Sequence, residues 1–454
     1  MSDNTFSAVA VLGRLNPDPV AVRDVLGRLA GTATDPARLS ADRLVAGLEL
    51  SKVGRLARHA VGAADPAPGR GRDLLDRLVE ADEAEEAWRR KALPPMRAVV
   101  TAAAGHGGRV VKGLAVQSRY PQPDRRHVGD VDLHFPSWAA ARPLVRELRT
   151  SGWVWDTDEL SWLKWHDSGG LYGQLSLVLT ADSIPYARVD LHVGPFSVGH
   201  AGLLPMVGWR SGCALGESTT VPDTATAVAM VAAHAVVDRV LSVKDVNDLA
   251  VLLGDDGPDQ VDWATVWELC RAAQATGALA QCLQTLARVY PDVPVPRLAG
   301  NGGLSTTPPG AGRRALAFAA LAYRDERARG RGPVAALRTG WTARRYFAGD
   351  LRPRPTAGPV AGSAPVPELR RRDVCWRLVP EELWAPWATP APGGAAAPVR
   401  TEQLDDGLVL LSTDDGVAVA LDDDLFLPTV WGAVPPGGVR LARRLSGAAT
   451  GAAR

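Results

Sequence analysis

Val-Gly-Asp-Val-Asp-Leu-His at 128–134 decides how the chain is read, together with Arg-Val-Asp-Leu-His at 188–192. Each run sets aspartates between apolar, largely branched residues, the pattern of a strand that buries one face and carries carboxylates on the other. Asp130 and Asp132 are two apart, so a strand projects both from one face, and Asp190 on a neighbouring strand would add a third. Three such carboxylates repel one another and raise their own proton affinity unless a cation neutralises them; hard oxygen donors of this kind suit Mg²⁺ or Mn²⁺. The expectation is a divalent-metal site serving phosphoryl chemistry. His134 and His192 lie two residues beyond an aspartate and face the same side. They would orient a carboxylate or meet an acceptor, or else be hydrogen-bonded structural histidines.

Working outward, Arg109 to Val116 is strand-like, Val128 to Phe135 is a second strand, and Ser137 to Ser151 reads as a helix capped by Ser137. Short strands are expected at Gly152–Trp155, Leu175–Leu179 and Ala187–Val193. Before this core the pattern is helical from Asp18 to about Ala104. Val22, Val25, Leu26 and Leu29 recur at three and four, as do Leu44, Val45 and Leu48, and a long charged helix runs from Asp73 to about Lys91. After Pro222 helices return, with Ala225–Leu253 the strongest stretch, then Val261–Val289 and Arg313–Ala328. Pro, Gly and Ala from Pro353 to about Val366 read as a linker, and Thr389–Pro398 as a second breaker. Beyond it Gly407–Leu411 and Val417–Leu421 flank Asp414-Asp415-Gly416, a hairpin signal. The expected blocks are a helical region at 1–104, the core at 105–220, a helical lobe at 221–350, a linker region at 351–398 and a β-rich tail at 399–454.

The 454 residues leave room for two or three domains. Lys+Arg 51 against Asp+Glu 50 gives a net charge of +1, which argues against a long nucleic acid as partner, since that needs a basic stripe. No apolar run approaches the roughly 18 residues needed to span a bilayer, so no membrane partner is expected. Cys213, Cys270, Cys282 and Cys375 are widely spaced and form no Cys-x-x-Cys pair, as expected of reduced thiols in a cytoplasmic protein. Only five lysines occur, and arginine carries the rest of the positive charge.

The ordered set Val110-Val111-Lys112-Gly113-Leu114-Ala115, then Asp130-Val131-Asp132, then Val189-Asp190-Leu191 resembles the nucleotidyltransferases of the DNA polymerase β superfamily. More narrowly, it is similar to the uncharacterised bacterial nucleotidyltransferase-like family with Lys-Gly in place of the usual Gly-Ser. That family also has a Tyr near Tyr120, an Arg shortly before Asp-x-Asp, and Val-Asp-Leu-His at the third position. The resemblance is close over roughly 110–195 and looser in the helical flanks.

It implies an α+β fold: a polymerase β-like core of mixed β-sheet with helices, flanked by helical lobes, with a small β-rich C-terminal appendage. It also implies transfer of a nucleoside monophosphate from a nucleoside triphosphate, ATP first, to an acceptor. Asp130, Asp132 and Asp190 would be the catalytic metal ligands, and Asp190 a proton acceptor as well. Lys112 and Gly113 would grip phosphate in place of the superfamily's Gly-Ser. Arg125 or Arg126 would complete the clamp, because a guanidinium pairs bidentately with phosphate oxygens. Arg239 or Lys244, on the helix after the third carboxylate, would touch phosphate or base; a salt-bridged surface is the bland alternative. Tyr120, His134 and His192 would serve the acceptor or support the ligands.

Other motifs carry less. Gly105-His106-Gly107-Gly108 precedes a strand and lacks the Gly-Lys-Ser/Thr ending, so it reads as a turn and not as a phosphate loop. Trp153, Trp155, Trp162 and Trp165 would line an acceptor pocket by stacking, although core packing explains them as well. The acceptor is expected to be a small molecule, a peptide or a protein side chain, and the resemblance associates the family with natural-product or modified-peptide pathways. Two alternatives stand beside this: a catalytically silent scaffold of the same fold, and an antibiotic-modifying enzyme that binds a cationic drug through Asp156, Asp158 and Glu159.

Overall fold

The helices and strands of the computed structural model divide between two units. It describes residues 3–30, 39–66, 68–165, 171–198, 202–238, 241–256, 260–296, 332–334, 337, 375–378, 400–405, 407–413, 416–422 and 424–429. The expected helix at Arg313–Ala328, the linker at Pro353–Val366 and the breaker at Thr389–Pro398 lie outside them. One unit takes the described residues of 1–94, 111–129 and 197–351, the other those of 95–110, 130–196 and 352–454. Both draw on separated stretches of chain, where the sequence reading divides it into consecutive blocks.

The first unit opens with α1 (Asp3–Leu12), α2 (Pro19–Ala30), α3 (Ala41–Leu50) and α4 (Gly54–Ala63), followed by α5 (Arg70–Gly105), whose residues from Pro95 onward belong to the second unit. Helix α5 runs beyond Lys91, the expected end, through Pro94 and Pro95. Met96, Val99, Val100 and Ala103 keep a buried stripe at helical spacing past the two missing N–H groups. The glycines at 105–108 form its C-terminal turn: Gly107 takes φ +71 and the Gly108 N–H donates to Ala103 O at 2.7 Å.

Arg109–Val116 is not one strand. Strand β1 covers only Arg109–Val110; Lys112 turns into the left-handed region at φ 50, and Lys112–Gln117 winds into α6. An apolar run of this length is ambiguous between strand and helix, and the left-handed residue decides it.

The expected helix Ala225–Leu253 is two helices, α8 (Thr224–Asp238) and α9 (Val243–Asp256). Ser242 starts the second: its hydroxyl accepts from the Asp245 N–H at 3.2 Å while Asp245 accepts from the Ser242 N–H at 3.0 Å, a reciprocal cap. Asp262 likewise caps α10 (Trp263–Ala272), and α11 (Thr276–Val289) follows. Helix α8 packs on α9, α10 and α11. The buried Asn247 ties the unit together, donating to Gly13 O at 2.8 Å and accepting from the Tyr290 hydroxyl at 2.6 Å.

The second unit is built on one mixed sheet. Strand β2 (Val131–Phe135) pairs antiparallel with β1 and parallel with β6 (Ile184–Val193). Helix α7 (Trp138–Thr150), capped by the Ser137 hydroxyl as expected, packs against β2 and β6. After β3 (Val154–Trp155) and β4 (Trp162–Trp165), β5 (Leu171–Ala181) forms a hairpin with β6. Its two-residue turn, Asp182-Ser183, has both φ positive at 52 and 65, the primed geometry that matches strand twist.

Short strands β7 (Phe196–Ser197) with β8 (Leu203–Leu204), and β9 (Trp209–Ala214) with β10 (Glu217–Pro222), follow as separate ribbons.

The C-terminal strands do not stand apart from the core sheet. Strand β11 (Cys375–Leu378), inside the stretch read as linker, pairs with β4 through Trp376↔Leu163 and Arg377↔Trp162. It then leads to β15 (Asp424–Thr429), β14 (Gly416–Leu421), β13 (Leu408–Thr413) and β12 (Arg400–Asp405) in spatial order. The hairpin of β13 and β14 was expected; their continuation of the core sheet was not. Trp376 is fully buried, and Arg142 and Arg146 of α7 both donate to Asp422 at 2.8 and 2.6 Å.

Candidate active site

The parallel pairing of β2 and β6 sets Asp132 beside Asp190 and His134 beside His192 in register. Val131, Leu133, Val189 and Leu191 are buried on the alternate positions, so apolar packing fixes which face the carboxylates take. Asp130 lies just before β2. One oxygen from each of Asp130, Asp132 and Asp190 falls within 4.8 Å of the others, with Asp132 and Asp190 buried and Asp130 half-buried. Three clustered carboxylates at this depth are a hard-oxygen donor set that fits a divalent cation.

Each buried carboxylate is held from the side. Nε2 of His192 lies 3.0 Å from Asp132 Oδ1. The Ser176 hydroxyl donates to Asp190 Oδ1 at 2.6 Å and the Gln174 amide to Asp190 Oδ2 at 3.0 Å. His134 is turned away from the acids. Its Nε2 donates to Gly194 O at 2.9 Å, and burial lowers its pKa to about 4 against that bond, with His192 and Arg109 adding to the fall. It is a neutral group fastening the end of β6. Ser176 and Gln174 were not singled out from sequence; the signal was Gln-Leu-Ser at 174–176, two polar residues at alternate positions of an apolar strand.

In the first unit Lys112 begins α6, half-buried, and Gly113 follows. A Cβ at Gly113 would lie 2.7 Å from Arg126 Nη1, so glycine makes room for that guanidinium. Arg125 is half-buried in a 3-10 turn at Pro123–Arg125. Arg126 is buried and pairs bidentately with Asp248, Nε to Oδ1 at 2.9 Å and Nη2 to Oδ2 at 2.7 Å. The Tyr120 hydroxyl donates to the same Oδ1 at 2.6 Å; burial and Asp248 push its pKa well up, so it stays a donor. Lys244 sits 3.3 Å from Asp245, and despite burial Asp245 and Asp248 hold it charged. The structure thus gives Arg126, Tyr120 and Lys244 carboxylate partners within the unit; Arg239 lies outside the described residues.

Asp156, weighed for a cationic pocket, is buried and committed elsewhere. It accepts from the N–H groups of Asp158 and Glu159 and pairs with Arg188 at 2.8 Å, which also meets Glu159. Trp153, Trp155 and Trp165 are buried, in keeping with core packing.

A family model described as an uncharacterised nucleotidyltransferase matches residues 40–291, more than half of the chain. The chain belongs to this family. The match takes in all three carboxylates, Lys112, Gly113, Tyr120 and the arginine pair, and ends before the strands β11 to β15. A nucleotidyltransferase-like protein from Paracoccidioides brasiliensis, described as antigenic, is similar in structure at 15% identity and a TM-score of 0.26, over 44% of this chain and 88% of its own. No curated protein matches the chain. Among the described residues no helix is long and apolar enough to cross a membrane.

Proposed function

We propose that the protein is a cytoplasmic, Mg²⁺- or Mn²⁺-dependent nucleotidyltransferase that moves a nucleoside monophosphate from a nucleoside triphosphate, ATP first, to a small-molecule or peptide acceptor. The carboxylate set of Asp130, Asp132 and Asp190, in a member of a nucleotidyltransferase family, carries the reading. A bond forms between an acceptor oxygen and the α-phosphorus as the bridge to the β-phosphorus breaks, and pyrophosphate leaves. Asp130, Asp132 and Asp190 would hold the cation, which when bound neutralises phosphate charge and polarises the oxygens around the α-phosphorus. Asp190 takes the acceptor's proton. Lys112 and Arg125 are the side chains whose positive charge would suit a triphosphate, while Gly113 gives room to the Arg126 guanidinium. The balanced net charge favours a small or peptide acceptor over a polynucleotide.

The test is pyrophosphate release from each of the four ribonucleoside triphosphates with Mg²⁺ or Mn²⁺, in the presence of cell extract, beside the Asp130→Ala/Asp132→Ala variant. Carboxylate-dependent pyrophosphate, with a product heavier by one nucleotide in mass spectrometry, is the expected result. Nucleotide binding with no pyrophosphate under any of these conditions overturns the reading in favour of a silent scaffold.

A further inference from the structure

We propose that Ser176 and Gln174 are positioning residues that hold Asp190 in the orientation a cation needs; the proposal rests on reading the three carboxylates as a cation site. Both side chains stand on β5, two apart and therefore on one face, and Ser176 is the register partner of Asp190 across the β5–β6 pair. Their donors go to different oxygens: Ser176 Oγ to Oδ1 at 2.6 Å and Gln174 Nε2 to Oδ2 at 3.0 Å. A carboxylate held at one oxygen still rotates about its last bond, whereas one held at both cannot. A carboxylate oxygen carries two lone pairs, so accepting one hydrogen bond does not by itself prevent it from ligating a metal. Gln174 Nε2 also lies 3.4 Å from Ser176 Oγ, so the two donors are coupled as well as parallel.

Ser176 is itself fixed by its backbone. It sits where β5 passes from its pairing with β4 to its pairing with β3, and the intervening loop supplies the bonds the ladder omits. The Ser176 N–H donates to Ser161 Oγ at 2.8 Å, and the Asp156 N–H donates to Ser176 O at 3.0 Å. The carbonyl of Ser161 in turn accepts from the Leu378 N–H of β11 at 2.9 Å. A buried serine so placed, with its one hydroxyl proton committed to a buried aspartate, is a built support and not an incidental surface contact. Partners of metal-ligating groups of this kind typically change metal affinity by about 10- to 100-fold when removed.

The experiment is Mn²⁺ binding to the full chain, followed by the electron paramagnetic resonance signal of free Mn²⁺, with thermal unfolding of every variant. Ser176→Ala and Gln174→Met should each weaken Mn²⁺ binding by about tenfold or more, and Ser176→Thr, which keeps the hydroxyl, should restore most of it. Gln174 is half-buried, so its methionine variant should fold even where Ser176→Ala does not. Wild-type Mn²⁺ affinity in folded Gln174→Met and Ser176→Ala overturns the positioning role while leaving the cation site standing. Failure of the wild type to bind Mn²⁺, or undiminished binding in Asp130→Ala/Asp132→Ala, removes the cation site and the proposal with it.

Discussion

Arg126 and Asp248 close on each other through two parallel hydrogen bonds, 122 residues apart in sequence and both buried. A guanidinium fork that meets a carboxylate in this way is a strong and directional pair. The Tyr120 hydroxyl depends on the same carboxylate. Asp248→Ala strands a buried cation and a buried phenol at once, and should cost about 3–5 kcal/mol of stability, measured by urea unfolding. A loss below about 1 kcal/mol would show that the pair is solvated in solution.

The carboxylates make the opposite expectation. Asp132 faces two neighbouring acids, so Asp132→Asn removes charge from a self-repelling cluster and leaves the apolar packing of Val131 and Leu133 untouched. Nucleotidyl transfer should fall at least about a hundredfold while the thermal midpoint holds or rises. Wild-type turnover in this variant would exclude Asp132 as a ligand.

Lys112 holds a left-handed backbone at φ 50, which for a residue with a Cβ costs on the order of 1 kcal/mol. Lys112→Gly relieves that cost and should leave stability unchanged or up to about 1 kcal/mol higher. If the ammonium meets the triphosphate, the apparent KM for the nucleotide should rise at the same time. A variant with higher stability and unaltered KM would leave the lysine without a part in nucleotide binding.

Asp245 carries a pH dependence. Burial raises its pKa, but Lys244, His234 and the Ser242 cap outweigh that and bring it from 3.8 to about 2. A carboxyl depressed on folding adds stability that is complete above the unfolded value and is lost as pH falls from about 4 towards 2. The difference corresponds to roughly 2 kcal/mol. Unfolding followed from pH 5 to 2 should show this slope in the wild type and a flatter one in Asp245→Asn.

Trp376 is almost wholly buried where β11 meets β4. Trp376→Ala should cost about 3–5 kcal/mol, with the loss detected in the unfolding of the sheet unit. A negligible effect would mean that β11 is detached in solution.

Short-range order was well written in the chain. Alternation of apolar and acidic residues marked β2 and β6, Ser137 marked the start of α7, and the paired β13 and β14 followed from apolar runs around an Asp-Asp-Gly turn. Three features were less legible. The Asp182-Ser183 turn adopts a primed geometry without glycine, so its hairpin lacks the usual marker. The break before Ser242 hides in a pattern whose apolar spacing continues across it, and only the reciprocal cap with Asp245 betrays it. The pairing of Trp376 with Leu163 joins residues more than 200 positions apart, and no local pattern specifies a partner at that range.

Of the candidate site, the clustering of the three acids was legible, because they stand out by charge in apolar strands. Ser176 and Gln174, which donate to Asp190, are neutral and lie on a neighbouring strand. Arg126 looked available because its partner Asp248 lies on a helix far along the chain.

The seam between β4 and β11 also sets an order of events during synthesis. Strands β2, β4, β5 and β6 emerge from the ribosome early, yet among the described residues the β4 edge finds its strand partner in β11, which ends at residue 378. A nascent chain therefore carries an open strand edge through the translation of some two hundred residues, the condition under which unpaired edges recruit one another. Closing the sheet is a long-range, entropically slow step. Slower expression or added chaperone should therefore raise the fraction of folded protein, measured as its share of the soluble fraction.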